Sequence, residues 1–406
     1  MIVNIEQPKK VGKFAFLHLG FRPFFIGASS FAFLAILMWM GIYIFSWHIP
    51  FHHFAPMTWH AHEMIFGYSI AVVAGFLLTA VKNWTGIQTL HGYRLLLLFL
   101  LWLIARLLPF LGDSVPLSVI AISDNLFILL LSISVLLPLL KVKQWNNIAL
   151  VSHLLLLVIS NIVFYLGAYG LLSDGIHYGL YAGLYLILSL LLTVGRRVIP
   201  FFIEKGVGYP IQLRNWKWID KSHLFVFWLF GIADLINPNA YLTAGLAGLS
   251  CLIHGFRLVG WHTPGIWKKP LLWVLYLAYI FIVVGFALKV LTIVSQVSVY
   301  LAVHAFAFGG IGMMTSGMMA RVSLGHTGRN IFAHPRALFW IFALLFCGTL
   351  VRVVFPLIDS SFYLYWIALS QLFWLLAFGW FLYVYFTMLI YPRIDGHSGR
   401  TEKVTQ

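Results

Sequence analysis

Charge is scarce in this chain: Asp, Glu, Lys and Arg make up 9% of its 406 residues, and Asp and Glu together number only 11. Soluble domains carry about a quarter charged residues, so a water-facing globule is excluded. Cysteine is nearly absent as well. Cys251 and Cys347 lie far apart within apolar stretches, which argues against a disulfide framework or a thiolate metal motif and leaves core packing as their role. Neither a Walker loop nor a dinucleotide fingerprint occurs. No small-residue cleavage site follows the first apolar stretch, itself too long for a signal-peptide core, so that stretch is expected to persist as the first helix.

What fills the chain instead is apolar: 62% of its residues are hydrophobic, with a mean hydropathy of +0.94. A bilayer-spanning helix needs about 20 mostly apolar residues, because the hydrocarbon core is about 30 Å thick and each residue rises about 1.5 Å. That ruler predicts an all-α, polytopic integral membrane protein with about 12 transmembrane helices. They run over 24–46, 60–82, 95–111, 116–140, 148–172, 177–203, 222–237, 240–261, 271–293, 296–320, 336–357 and 362–391. The third and seventh are short.

Basic residues test the count independently, since cytoplasmic loops hold the excess of Lys and Arg. With the N-terminus inside, Lys9, Lys10, Lys13 and Arg22 fall in the cytoplasm, followed by Lys82 and Arg94, then Lys141 and Lys143. The alternation continues through Arg196, Arg197, Lys205, Arg214, Lys217 and Lys221, then Arg257, Lys268 and Lys269, then Arg321, Arg329 and Arg336, and ends with Arg393, Arg400 and Lys403. Only Arg106, Lys289 and Arg352 fall elsewhere. Both termini are therefore predicted cytoplasmic. The net charge of +15 reads as topology and contact with anionic membrane lipid, with no nucleic-acid partner implied.

The chain reads as one membrane domain, 1–406, whose most polar interior segment, 204–221, separates two sets of six spans, 1–203 and 222–406. The tripeptide Gly-Phe-Arg occurs at Gly20-Phe21-Arg22 and again at Gly255-Phe256-Arg257. The first precedes a span and the second ends one, which argues against a simple repeat.

Ionisable residues inside spans mark function by default. His60, His62, Glu63, Asp124, Asp234 and His304 map to the outer half of their spans, with Arg106, Lys289 and Arg352 at a similar level, and together they suggest an outer polar chamber. The alternative for the three basic residues is snorkelling to the headgroups. His304, about eight residues or roughly 12 Å into the tenth span, is either a hydrogen-bonded structural histidine or a ligand of a metal or haem iron. His60 and His62 point about 200° apart on a helix, so either the helix start is irregular or each faces a different partner. His60 and Glu63, three apart, share a face, and Glu63 would orient that imidazole, ligate directly or carry protons.

His48, His52 and His53 form an exposed loop that incoming copper would meet first, against the default of solvated loop residues. Met313, Met314, Met318 and Met319 read better as packing than as thioether ligands. At the cytoplasmic ends, arginines in Leu19-Gly20-Phe21-Arg22-Pro23-Phe24-Phe25, in Gly195-Arg196-Arg197-Val198-Ile199-Pro200-Phe201-Phe202 and in Ala320-Arg321-Val322-Ser323-Leu324-Gly325-His326-Thr327-Gly328-Arg329 suit carboxylates or phosphates. Positive-inside topology alone also predicts them. The glycines around His326 read as a tight turn.

These motifs, with Trp59-His60-Ala61-His62-Glu63-Met64 and Thr79-Ala80-Val81-Lys82-Asn83-Trp84-Thr85-Gly86, resemble the NnrS family in matching order from about residue 15 to 335. The resemblance implies a twelve-helix bacterial inner-membrane protein that contains haem and copper and protects against nitric oxide and nitrosative stress. The family's His-x-His-Glu pattern maps to His60, His62 and Glu63, its span-ten histidine to His304 and its glycine-flanked one to His326.

On that basis His60, His62 and His304 are expected to supply haem or copper ligands, with His326 a further metal ligand and Glu63 a supporting carboxylate or proton relay. Arg106 and Arg352 would pair with haem propionates. Partners would be nitric oxide or a related small molecule, lipid, and an unassigned electron donor. Two other classes stay open: a twelve-helix transporter, with Gly309, Gly310 and Gly312 breaking span ten, and a sensing or metal-handling protein without turnover. Likeness to haem–copper oxidases is architectural only, and neither oxygen reduction nor proton pumping is carried over from it.

Overall fold

The computed structural model describes residues 14–396 apart from 50, 52 and 296. Lys9, Lys10, Lys13, His52, Arg400 and Lys403 lie outside the described residues. Among those described there are twelve long helices and no strand: α1 (Phe21–Phe45), α2 (Pro56–Thr85), α3 (Gly92–Ser114), α4 (Leu117–Lys141), α5 (Trp145–Ala168), α6 (Gly175–Gly206), α7 (Lys217–Ile236), α8 (Tyr241–Trp261), α9 (Pro270–Val294), α10 (Val299–His326), α11 (Ala337–Ile358) and α12 (Tyr363–Ile390). Eleven are long and apolar enough to cross a membrane. The protein is thus all-helical and polytopic.

Helix α7 is the exception, because Lys217, Asp220, Lys221 and Asp234 dilute its apolar character. Parity shows that it crosses as well. The Ala15 N–H donates to the Ile390 carbonyl at 2.8 Å and Phe14 stacks on Tyr391, so the start of α1 and the end of α12 share one face. A chain that returns to its starting face crosses an even number of times, and α7 supplies the twelfth passage. Its buried carboxylate is answered by Lys289, 2.5 Å from Asp234, and by the Tyr185 hydroxyl at 2.5 Å.

The helices are not equally interior. In its most apolar stretch 83% of α2 is buried against 33% of α3, and α9, α10 and α6 follow α2. These four form the centre. Around them α1 packs on α2 and α12, α4 on α3 and α5, α8 on α7 and α9, and α11 on α10 and α12. One hydrophobic cluster, with members as far apart as Phe24, Leu188, Phe286 and Phe378, joins both sets of six.

Two central helices change winding inside the bundle. Helix α2 is π-wound over Glu63–Ser69 and α10 over Ala305–Gly312. Each wide segment begins one residue after a histidine, His62 or His304. Such segments shift side-chain register within a continuous helix and occur frequently at functional sites. Span ten is therefore rewound where its glycines had suggested a break. Those glycines serve close packing: a Cβ at Gly309 would stand 2.5 Å from Phe281, and one at Gly312 2.7 Å from Trp374.

Candidate functional site

His60 and His62 face opposite ways from α2, and each enters a different polar cluster. The local helix explains the division. Pro56 starts an α-helical turn that carries both histidines, and at that pitch residues two apart diverge by about 200°. The π-turn then swings Glu63 to the side of His62.

The His62 cluster lies among α2, α3, α4 and α5. Glu63 Oε1 lies 3.1 Å from His62 Nδ1, while His62 Nε2 lies 2.9 Å from Asn161 Oδ1 and 3.3 Å from Asp124 Oδ2. Asn161 uses its amide nitrogen to donate to Asp124 at 2.9 Å, which leaves its oxygen to accept from His62. Both imidazole nitrogens of His62 are therefore engaged within the cluster. Arg106 donates to Glu63 Oε2 at 2.6 Å and also to Asp124 Oδ1, and Tyr165 donates to Asp124 at 3.2 Å. Arg106 and His62 face two carboxylates, all at most 2% exposed.

Snorkelling is thereby overturned for Arg106, as it is for Lys289 on Asp234. Breaking one member of such a set costs about 3–5 kcal/mol, because it leaves an unanswered buried charge. Gly67 makes the pairing sterically feasible: a Cβ there would sit 2.6 Å from Glu63 Oε2 and 3.0 Å from an Arg106 amino nitrogen. The expectation that Glu63 serves His60 fails because the π-turn redirects it to its neighbour His62.

The His60 cluster is sparser and faces α1, α10 and α11. The half-buried His60 ring stacks on Trp39, 4.7 Å between centroids and 4° between planes, yet its Nδ1 is buried without a partner. His304, also half-buried, donates from Nδ1 to the Tyr300 carbonyl at 2.7 Å. That bond fixes the tautomer and leaves the lone pair on Nε2, toward which Arg352 points at 3.4 Å. The Arg352 guanidinium also lies over the Tyr363 ring at 5.6 Å, and its other amino group is buried without a partner. His60, His304 and Arg352 lie within electrostatic reach of one another. Because α10 begins at Val299, His304 is five residues in, nearer 8 Å deep than 12 Å at helical rise.

The remaining candidates lie apart. His326, at the face of the chain ends, packs on Phe21 with 5.6 Å between centroids and sits 3.4 Å from the Asn83 amide, roughly a bilayer leaflet and more away from His304 along α10. Arg22 closes the end of α12 by donating to the carbonyls of Met388, Leu389 and Tyr391. His53 donates to the Val115 carbonyl at 2.9 Å, and His48 is exposed. The methionines pack: Met319 and Met313 accept weakly from Ser29 and Thr349.

Asn161 and Tyr165 were not singled out from sequence, although a polar Asn inside an apolar span is a visible signal. Gln371 was missed too. Its amide, buried in α12, has neither nitrogen nor oxygen paired, and it stands one turn outward of Trp374, which packs on Phe308 one turn inward of His304. Unpaired buried polar groups thus recur at the level of His60 and His304.

Donor counting discriminates between metals. Among the described residues no group of three or more His, Cys, Asp or Glu side chains is placed to hold a metal ion. A haem carries four nitrogens of its own and takes one or two imidazoles, which fits His60 and His304. The spare Arg352 amino group fits a carboxylate such as a propionate.

No curated protein matches the chain. The family profile described as NnrS protein matches residues 15–393, a stretch that contains all twelve helices. The chain therefore belongs to the NnrS family, multi-pass membrane proteins related to nitric oxide.

Proposed function

We propose that this protein binds nitric oxide or a related small molecule at a haem seated against His60 and His304, in the half of the bundle remote from the chain ends, and thereby protects a bacterial cell from nitrosative stress at its inner membrane. The observation that carries the reading is a half-buried His60 with an unpaired Nδ1 near a His304 whose Nε2 lone pair meets only the long 3.4 Å contact from Arg352, a guanidinium with a spare donor. A haem held by one of these imidazoles, with the other standing beside it, would supply an iron with a coordination position for a diatomic ligand.

The protein's own groups have distinct tasks. The Tyr300 carbonyl orients His304 so that Nε2 faces the site, the usual service of a supporting hydrogen bond to a ligating imidazole. Trp39 holds the His60 ring flat. Arg352 answers an anionic group, and the surrounding phenylalanine and tryptophan side chains exclude water. Glu63 works at one remove: with Arg106 and Asp124 it clamps the start of α2, fixing the direction in which His60 projects on the other face. It is a positioning residue here, as is Arg106, both of whose terminal nitrogens are engaged by carboxylates. His62, with both ring nitrogens engaged, serves the same clamp. The transporter alternative asks for interrupted helices at the centre, and α2 and α10 run through their π-turns without interruption.

The test is an optical spectrum of the purified protein, oxidised and reduced, before and after anaerobic nitric oxide, with iron measured on the same sample. We expect a Soret band that shifts with the gas and is lost or reshaped in His304→Ala and in His60→Ala. An unchanged spectrum and iron content in both variants would remove this pair from the site.

A further inference from the structure

The face of the chain ends carries a basic cluster that the haem reading leaves unused. A reversal of the chain after α10 builds it. Gly328 takes a positive φ of 74°, a form that glycine adopts without strain, and the Arg329 N–H donates back to the Leu324 carbonyl at 3.0 Å. The segment after α12 lies on this turn. The Ile394 N–H donates to the Thr327 carbonyl at 3.2 Å, Arg393 donates to the His326 carbonyl at 3.4 Å, and a Cβ at Gly328 would stand 2.7 Å from Asp395.

Arg22 enters the cluster from the start of α1. One of its amino groups donates to the carbonyls of Met388, Leu389 and Tyr391, and Phe21 beside it packs on His326. The Arg22 guanidinium lies within electrostatic reach of both Arg329 and Arg393, and Arg329 within reach of Tyr385 on α12. Three guanidiniums from separate segments are thus held together, and Arg329 links them to a tyrosine that is 0% exposed. Two donors there have no partner. The Tyr385 hydroxyl and one Arg329 amino group are buried with nothing to bond.

Positive-inside topology accounts for arginines at this face, but it does not account for donors kept from water with no acceptor, which costs free energy. Charge makes the same demand. Among the described residues Asp395 pairs with Arg393 and no carboxylate pairs with Arg22 or Arg329, so those two repel each other unanswered. An anion supplies what both the donors and the charges lack. Guanidinium forks match phosphate oxygens, and a phosphate monoester, with about two negative charges near pH 7, answers two arginines where a carboxylate answers one. We propose that Arg22, Arg329 and Tyr385 form a binding site for a phosphate monoester group, free or on a lipid headgroup. This site shares no residue with the haem reading and survives its failure.

The experiment uses the full-length protein with two probes: inorganic phosphate, titrated calorimetrically in detergent, and phosphatidic acid, followed by native mass spectrometry from phosphatidylcholine nanodiscs. Both are run at about 0.15 M salt, where attraction between exposed charges is screened beyond about 8 Å. One equivalent of at least one probe should bind. Phosphate alone would identify a free anion as the ligand and phosphatidic acid alone a headgroup, and either result carries the proposal. Arg329→Gln should weaken binding about 10–100-fold. Tyr385→Phe keeps the ring stacked on Phe381 and removes only the hydroxyl, so it should fold and bind about tenfold more weakly. Arg94→Gln removes an exposed arginine of the same face, outside the cluster, and should change nothing. Absence of stoichiometric binding of both probes would overturn the proposal. Binding undiminished in Arg329→Gln and Tyr385→Phe, or weakened as much by Arg94→Gln, would overturn it equally, since attraction would then belong to the whole face.

Discussion

Two histidines separated by one alanine stand in opposite electrostatic situations. His62 spends both ring nitrogens on Glu63, Asn161 and Asp124 and belongs to a buried set whose carboxylates also hold Arg106. His60 spends its ring on Trp39 and leaves a nitrogen unpaired. The difference separates structure from reception. A buried network whose carboxylates and imidazole nitrogens are all engaged fixes geometry; one with an unpaired imidazole nitrogen retains coordinating capacity at a cost in stability.

The largest effect is expected on the answered side. Arg106→Ala leaves Glu63 and Asp124 facing each other without their shared cation, and Glu63→Ala strands Arg106 and His62. Each should cost about 3–5 kcal/mol, read as a large drop in the thermal midpoint of the detergent-solubilised protein and in membrane yield. Replacing Arg106 and both carboxylates with apolar residues of similar size should recover much of the loss. If Arg106→Ala left stability untouched, the clamp would not be a clamp.

On the unanswered side the sign of the comparison reverses. His60→Ala and His304→Ala remove little that the fold depends on, since each imidazole makes at most one strong hydrogen bond, worth about 1 kcal/mol. Both should keep a near-normal thermal midpoint without added cofactor while losing the haem spectrum. A midpoint that collapses in His60→Ala as it does in Arg106→Ala would erase the distinction between the two faces.

Much of this was legible in the residues. Apolar run lengths and the alternation of basic residues gave twelve passages, and helical geometry alone separated His60 from His62. The outer cluster of ionisable residues was visible too, but as one chamber where the structure has three groups: Arg106 with its carboxylates, Arg352 with His304, and Lys289 with Asp234. What sequence did not carry was partnership at long separation. Glu63 was assigned to His60 by α-helical spacing, and the π-turn that gives it to His62 has no sequence signature beyond Gly67. Helix α7 looked marginal because its charges are read alone from sequence, whereas in the fold Asp234 is neutralised by a lysine 55 positions along the chain.

Gly67→Ala probes the geometry between the two faces. The added methyl would come within 2.6 Å of Glu63 Oε2 and 2.7 Å of Phe31, and overpacking of this kind costs about 1–3 kcal/mol. The clamp should loosen without being abolished. If α2 transmits that loosening to His60, the haem spectrum should broaden or its nitric oxide response weaken at a stability cost well below that of Arg106→Ala. A stability loss with an unaltered spectrum would show that the two faces are independent.

Arg352→Lys should have the smallest effect on the fold and is the most selective of these changes. The ammonium retains the positive charge near His304 but gives up the planar fork, which at present sends one amino group toward His304, leaves another unpaired and lies over the Tyr363 ring. Loss of the ring contact is worth about 0.5–1 kcal/mol, so the thermal midpoint should barely move. A carboxylate that depends on the fork would notice the change: two parallel donors become one point charge. We therefore expect haem to be retained but held more weakly, with faster transfer to an apo-globin acceptor than from the unaltered protein. Equal transfer rates would mean that the spare guanidinium nitrogen meets no carboxylate of the cofactor, and the unpaired atoms of this face would then need a different ligand.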